Sequence, residues 1–257
     1  MALFTDADIV TLDDLLEYEN SLVQVSSSHS IDVETKINLA LAAISDKLLL
    51  WLTKMGPGDP QWLQRRQLGL STVVVTSTLQ RWLCFDSLAR FFGEAYNVQL
   101  NTRFQGKWTE YQQLASEAAS MAFSSGLGLV HNPLPKPAMP RIAVGTGTAA
   151  AEAMFVQSAW MDSRGNEGAL SPVNGVILTA GSSISVAMAE ITAPPAAIGW
   201  NLYASTAADT LTLQNNAPLV TGMNWQLPDA GLIAGAAPIN GQQPNYYLAL
   251  SRELQRG

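Results

Sequence analysis

Between His131 and Pro140 the chain reads His-Asn-Pro-Leu-Pro-Lys-Pro-Ala-Met-Pro, with proline at positions 133, 135, 137 and 140. Each proline lacks an N–H and fixes its own φ, so neither a helix nor a sheet ladder runs through such a stretch. The extended polyproline II form is favoured instead, a semi-rigid spacer rising about 3.1 Å per residue. Any fold this chain adopts is therefore divided near residue 131. Composition shifts at the same place. Residues 1–132 carry 9 Lys/Arg and 14 Asp/Glu, residues 133–257 carry 5 and 7, and the second part is rich in Ala, Gly, Pro, Thr and Val.

The first part reads helical. Val33, Ile37, Leu41, Ile44, Leu48, Trp51/Leu52 and Met55 recur at steps of three and four, ending at Pro57-Gly58. A second stripe runs Leu79, Trp82/Leu83, Phe85, Ala89, Phe92 and Tyr96, and a third runs Trp108, Tyr111, Leu114/Ala115, Ala118 and Met121, closing at Gly126. Thr11 suits the N-cap of a short helix whose Asp13, Asp14 and Glu17 favour the positive end of its dipole. Ser26-Ser27-Ser28 and Gly56–Pro60 are expected loops. Such helices make a bundle.

The second part reads as short strands separated by turns, the pattern of a β-sandwich. Ala153–Trp160 alternates in part, Ala169–Thr179 follows a turn at Asp162–Gly168, Ile184–Met188 and Trp200–Ala204 alternate, and Leu211–Leu213 comes last. The expected plan is a multidomain α and β chain. An N-terminal helical bundle over 1–130 is followed by a proline-rich linker at 131–140, an Ig-like β-sandwich over 141–243 and a C-terminal docking segment at 244–257.

Signatures of chemistry are sparse. With only His29 and His131, and Cys84 as the single cysteine, a zinc site lacks ligands. Cys84 sits between Leu83 and Phe85, where a thiolate is disfavoured, so it reads as a buried thiol. No P-loop occurs, Gly145-Thr-Gly147-Thr lacks the third glycine of a dinucleotide fingerprint, and no Gly-x-Ser-x-Gly elbow is present. Asp162, Asn166 and Glu167 fit a turn in which Gly165 and Asn166 take positive φ. Trp51, Trp82 and Trp108 lie on helical stripes, and Trp160, Trp200 and Trp225 suit inward strand positions. Trp62 falls outside any stripe and is a candidate anchor for a partner. No catalytic, metal-binding or cofactor-binding residue is singled out, so no enzyme is expected.

Charged residues make up only 14% of the 257 while apolar ones make up 47%. A surface so poor in charge suggests burial in an assembly. The net charge of −7 argues against a nucleic-acid reader, and no apolar run approaches the roughly 20 residues of a membrane span. The opening Met-Ala-Leu-Phe-Thr-Asp has neither a basic nor an apolar signal region, so no secretory signal is expected and a reducing compartment suits the lone thiol.

Three stretches carry a resemblance: Thr5–Ile9 with Leu12–Glu19, Leu79–Asp86, and Arg103–Tyr111 running into Gln112–Ala118. Together they resemble the adaptor, or head–tail connector, proteins of tailed bacteriophages, across roughly residues 1–130. The second part resembles an immunoglobulin-like or fibronectin type III module. Met154–Trp160, Asp162–Gly168 and Ser171-Pro172 look like its last hairpin, and Ile198–Ala204 like its central strand. Here the hairpin precedes the strand it normally follows, which points to a permuted or incomplete sandwich.

The connector resemblance implies a homo-oligomeric ring of about twelve copies. The ring would join the portal of a phage head to tail or tail-completion proteins, with genomic DNA only in transit. Its place would be the virion neck, after assembly in the host cytoplasm. Tyr246, Tyr247 and Leu250 join Trp62 as candidate partner contacts, though the terminal segment fits both a strand (Tyr246/Leu248/Leu250) and a helical stripe (Tyr247/Leu250/Leu254). Asp6, Asp8, Asp13 and Asp14 are candidates for an acidic lumen that repels DNA. The alternative is a phage structural protein whose β-domain binds a host glycan or surface.

Overall fold

The computed structural model describes residues 1–6, 9–53, 68–99, 102–190, 192–239 and 241–249. Helices come first and antiparallel strands follow, so the chain is mixed α and β. It forms two units, neither of them a continuous stretch. One comprises Met1–Asp6 with His131–Gln243, the other Ala7–Val130 with Pro244–Gly257. The chain divides after Val130, the proline stretch falls within the β unit, and the terminal segments cross over. Residues 1–6 belong to the β unit and residues from 244 to the helical unit.

The helical unit holds α1 (Leu12–Leu16), α2 (Leu22–His29), α3 (Val33–Thr53), α4 (Ser77–Gln99) and α5 (Thr102–Ser125). Thr11 and Asp14 form a capping box at α1, with the Thr11 N–H donating to Asp14 Oδ2 at 2.7 Å. Ser26-Ser27-Ser28 is not a loop but lies inside α2. The Ser27 and Ser28 hydroxyls donate to the carbonyls of Val23 and Gln24, so the serines are satisfied without leaving the helix. Helix α4 buries more than the expected stripe: Cys84, Leu88, Phe91 and Ala95 are covered along with Leu79, Trp82 and Phe92. A helix covered over most of its circumference, with Arg81, Asp86, Arg90 and Glu94 as its charged positions, is the core element of its unit. Phe92 stacks on Tyr111 of α5 with ring centroids 5.6 Å apart and planes 11° apart. Gly126 stops α5 at φ +97°, where a Cβ would meet the Leu248 backbone at 3.1 Å, so glycine serves both the helix end and the strand that follows.

That strand, β1 (Leu127–Leu129), pairs antiparallel with β9 (Tyr246–Leu248), Leu127 opposite Leu248. Backbone bonds from Val74 to Gly128 and from Val130 to Thr72 tie its other edge to the segment before α4.

The β unit contains two antiparallel sheets. One has the order β4 (Asn174–Ile177), β3 (Ala153–Asp162), β6 (Ala197–Ser205), β7 (Thr212–Leu213). The other has β2 (Arg141–Ala149), β5 (Ser182–Ala187), β8 (Trp225–Gln226). Both sheets contribute to a single core containing Val156, Trp160, Val186, Trp200, Leu202 and Trp225. The hairpin β3–β4 precedes β6 in sequence, and β3 pairs with β6 in the sheet.

The proline stretch is extended but is not a free linker. Leu134 is fully buried in the β-unit core, and Pro137 and Pro140 are buried with it. Its alternate N–H groups each find a side chain: Leu134 donates to Gln242 Oε1 at 3.0 Å, Lys136 to Asp6 Oδ1 at 2.8 Å, and Ala138 to Glu190. A polyproline segment leaves such donors unpaired, and here side chains of its own unit supply the acceptors. Gly241, at φ +71°, lets the backbone of Met1 approach where a Cβ would sit.

Candidate interaction surfaces

The four acidic candidates separate. Asp6 is only 7% exposed and accepts backbone N–H bonds from Leu3 (2.7 Å) and Lys136 (2.8 Å). Burial raises its pKa more than these two amides and the nearby cations lower it, leaving a net rise. It is a clasp for its own unit and does not line a free surface, which corrects its assignment to a lumen. Asp8 lies outside the described residues. The Asp14 carboxylate is committed to the capping box and to Gln80 of α4 at 3.3 Å. Asp13 is exposed, and with Glu17 it gives α1 an acidic outer side next to the exposed Leu12 and Tyr18.

Of the expected partner contacts, Trp62 and Leu250 lie outside the described residues. Tyr246 and Tyr247 fall in β9, so the strand form of this segment is the one adopted. Leu248 is buried against the helical unit while Tyr247 stands 59% exposed. The described part of the docking segment thus packs on its own chain and leaves Tyr247 facing outward.

Two features went unread in the sequence. Helix α3 buries Ala40, Ile44, Leu48, Trp51 and Leu52, yet its outer side carries Leu39, Leu49 and Leu50, the last 55% exposed. Periodicity counted the buried stripe and passed over these extra leucines. Beside Lys47 of the same helix lies a groove of about 410 Å³ between α3, α4 and α5. Trp82, Ala89, Trp108 and Ala115 line it, with Lys47, Arg90, Gln112 and Ser116 around them. The Lys47 ammonium stands 5.4 Å from the centre of the Trp82 ring, and Arg90 Nε donates to Asp86 Oδ2 at 2.6 Å. Three alanines, Ala89, Ala115 and Ala119, leave the space that larger residues would fill.

Two buried carboxylates hold structure together. Glu19 receives the Ser21 hydroxyl at 2.6 Å, the Tyr111 hydroxyl at 3.1 Å and the Lys107 ammonium. Burial alone would raise its pKa, but the bonds from Lys107 and Ser21 outweigh that and lower it. Glu167 accepts from Tyr203 at 2.7 Å and from Asn201 at 3.0 Å, and Asn215 extends the network by donating to Asn201 Oδ1 at 2.9 Å. Glu167 is therefore more than a turn residue. The turn itself is held by Asp162, which accepts from the backbone of Arg164 and Asn166 and from the Asn166 amide. Gly165 has the expected positive φ, and Asn166 does not.

Cys84 is buried, and desolvation pushes its thiol up to about 12, aided by the charges of Asp14 and Glu17. Trp51 and Trp82 are core residues as expected, and Trp108 is only half-buried, stacked on Tyr96 at 5.7 Å. Among the described residues no group of three or more His, Cys, Asp or Glu is placed to hold a metal ion, and no helix is long and apolar enough to cross a membrane. The chain matches no known protein family and no curated protein.

Proposed function

We propose that this chain is a structural virion protein, a subunit of an oligomeric ring connecting the portal of a phage head to the tail and letting DNA pass. The observation that carries it is the uncovered apolar surface of the helical unit in a chain with only 14% charged residues. Leu39, Leu49, Leu50, Val98, Met121 and Tyr247 are all exposed there. Large apolar side chains left in water on a charge-poor surface suit a subunit that buries them against neighbours. The β unit, read as an Ig-like sandwich with a displaced hairpin, is an appended module of the neck. Its tryptophans 160, 200 and 225 are buried, so the exposed aromatic row that a glycan-binding alternative would use is not supplied by them.

The test is the mass of the purified chain in solution, alone and mixed with portal from the same phage. The reading expects a ring, formed either alone or on the portal. A monomer that ignores the portal and binds host cells would replace it with the surface-binding alternative.

A further inference from the structure

We propose that the groove between α3, α4 and α5 is the socket for the acidic α1 of a second copy of this chain. This inference rests on the ring reading and names the contact that builds the ring. The groove places a cation, Lys47, over an indole face, with Arg90 nearby and the exposed leucines 39 and 50 on the adjoining side of α3. Arg90 pairs with Asp86, which also lines the groove, so Lys47 gives the recess its net positive charge, and in a chain of net charge −7 that favours an acidic apolar partner. Helix α1 and the two residues after it have that chemistry: Asp13 and Glu17 are exposed between Leu12 and Tyr18, which are 41% and 42% exposed.

The placement of the two surfaces favours a neighbour over a contact within one chain. Helix α1 sits against the side of α4 that carries Gln80 and Cys84, whereas Trp82, Asp86 and Ala89 carry the groove. At about 100° per residue these are nearly opposite sides of α4. A knob on one side and its socket on the other make a heterologous, head-to-tail contact, which closes into a ring when the rotation per copy allows. A charge pair desolvated in such a contact can be worth ~1.5 kcal/mol or more, so reversing one partner should weaken association about tenfold.

The test uses the full chain in two measurements. In the first, K47E and D13K are each compared with wild type for ring mass against concentration. Each should shift assembly to about tenfold higher concentration, and the combined K47E/D13K chain should recover most of the loss. Rings that assemble unchanged in both single variants overturn the socket and leave the ring reading standing. In the second, a peptide of residues 9–20 is titrated into the chain while tryptophan fluorescence is followed. Saturable binding that K47E weakens supports the socket even where wild type forms no ring, an outcome that would count against the ring alone. No response, or the same response in K47E, overturns the socket.

Discussion

Lys136 donates its backbone N–H to Asp6 Oδ1 at 2.8 Å, joining two residues 130 positions apart. The same carboxylate takes the Leu3 amide through its other oxygen. One buried side chain thus fastens both the first residues of the chain and the proline stretch into the β unit.

Replacing Asp6 with alanine leaves one buried and one partly buried amide without acceptors and should destabilise the β unit by about 1–3 kcal/mol. Chemical denaturation measures the loss, and hydrogen exchange at the Lys136 amide should accelerate in the same variant. Because burial raises the folded pKa of Asp6, this group favours folding most at acid pH, and its contribution falls as pH rises through the raised value.

Glu19 titrates with the opposite sign. Its folded pKa lies below the ordinary 4.5 because Lys107 and Ser21 outweigh burial, so its contribution is full above that value and drains away as pH falls through it. E19Q should flatten the acid limb of the stability profile of the helical unit. Its cost at neutral pH should be about 2 kcal/mol, less than for a fully buried pair because Lys107 is partly exposed. A profile that keeps its acid limb in E19Q would assign that limb to other carboxylates.

Tyr203→Phe removes the hydroxyl that Glu167 accepts at 2.7 Å and should cost the β unit about 1–3 kcal/mol, read from its urea midpoint. In wild type the Tyr203 phenol should resist ionisation beyond the ordinary tyrosine range, since burial and the Glu167 carboxylate both oppose a phenolate. An ultraviolet titration that shows every tyrosine ionising normally in the folded chain would contradict this.

Cys84 should be silent to thiol reagents at about pH 8 while the chain is folded and should react fully once it is denatured, as expected for a thiol held protonated by burial. Rapid labelling of the folded chain would show that α4 opens.

Leu248 and Tyr247 are neighbours with different expected roles. Leu248→Ala should cost about 2–3 kcal/mol by opening a cavity beneath β9. Tyr247→Ser should change stability by less than ~0.5 kcal/mol, as exposed positions do, and yet weaken assembly. Equal effects on stability would mean that Tyr247 supports the fold and is no contact.

Helix content, the inward tryptophans and the hairpin before β6 were legible because each has a local signal: a period of three to four, an alternation, a glycine-bearing turn. Strand β2 had none. It is an edge strand exposed along nearly its whole length, so pairing with β5 rather than burial shapes it, and its Gly-Thr-Gly-Thr run shows no apolar alternation. The pairing of Leu127 with Leu248 and the Asp6 clasp depend on partners more than a hundred residues away, which no window of sequence displays. The groove escaped for a different reason. A recess formed where several small residues meet is a property of packing, and alanines at helical spacing look the same whether they abut a neighbour or leave a gap. Trp62 and Leu250 fall outside the described residues.

The exchange of terminal segments between the two units has a consequence for synthesis. A ribosome delivers residues in order, and the first six wait through the whole helical stretch before Lys136 emerges to meet Asp6. The helical unit in turn lacks its last strand until Leu248 has left the exit tunnel. The β unit therefore cannot close until Lys136 has emerged, nor the helical unit until Leu248 has. A chain cut back to residue 243 would keep every segment of the β unit and leave the Leu127–Leu129 edge of the helical unit open.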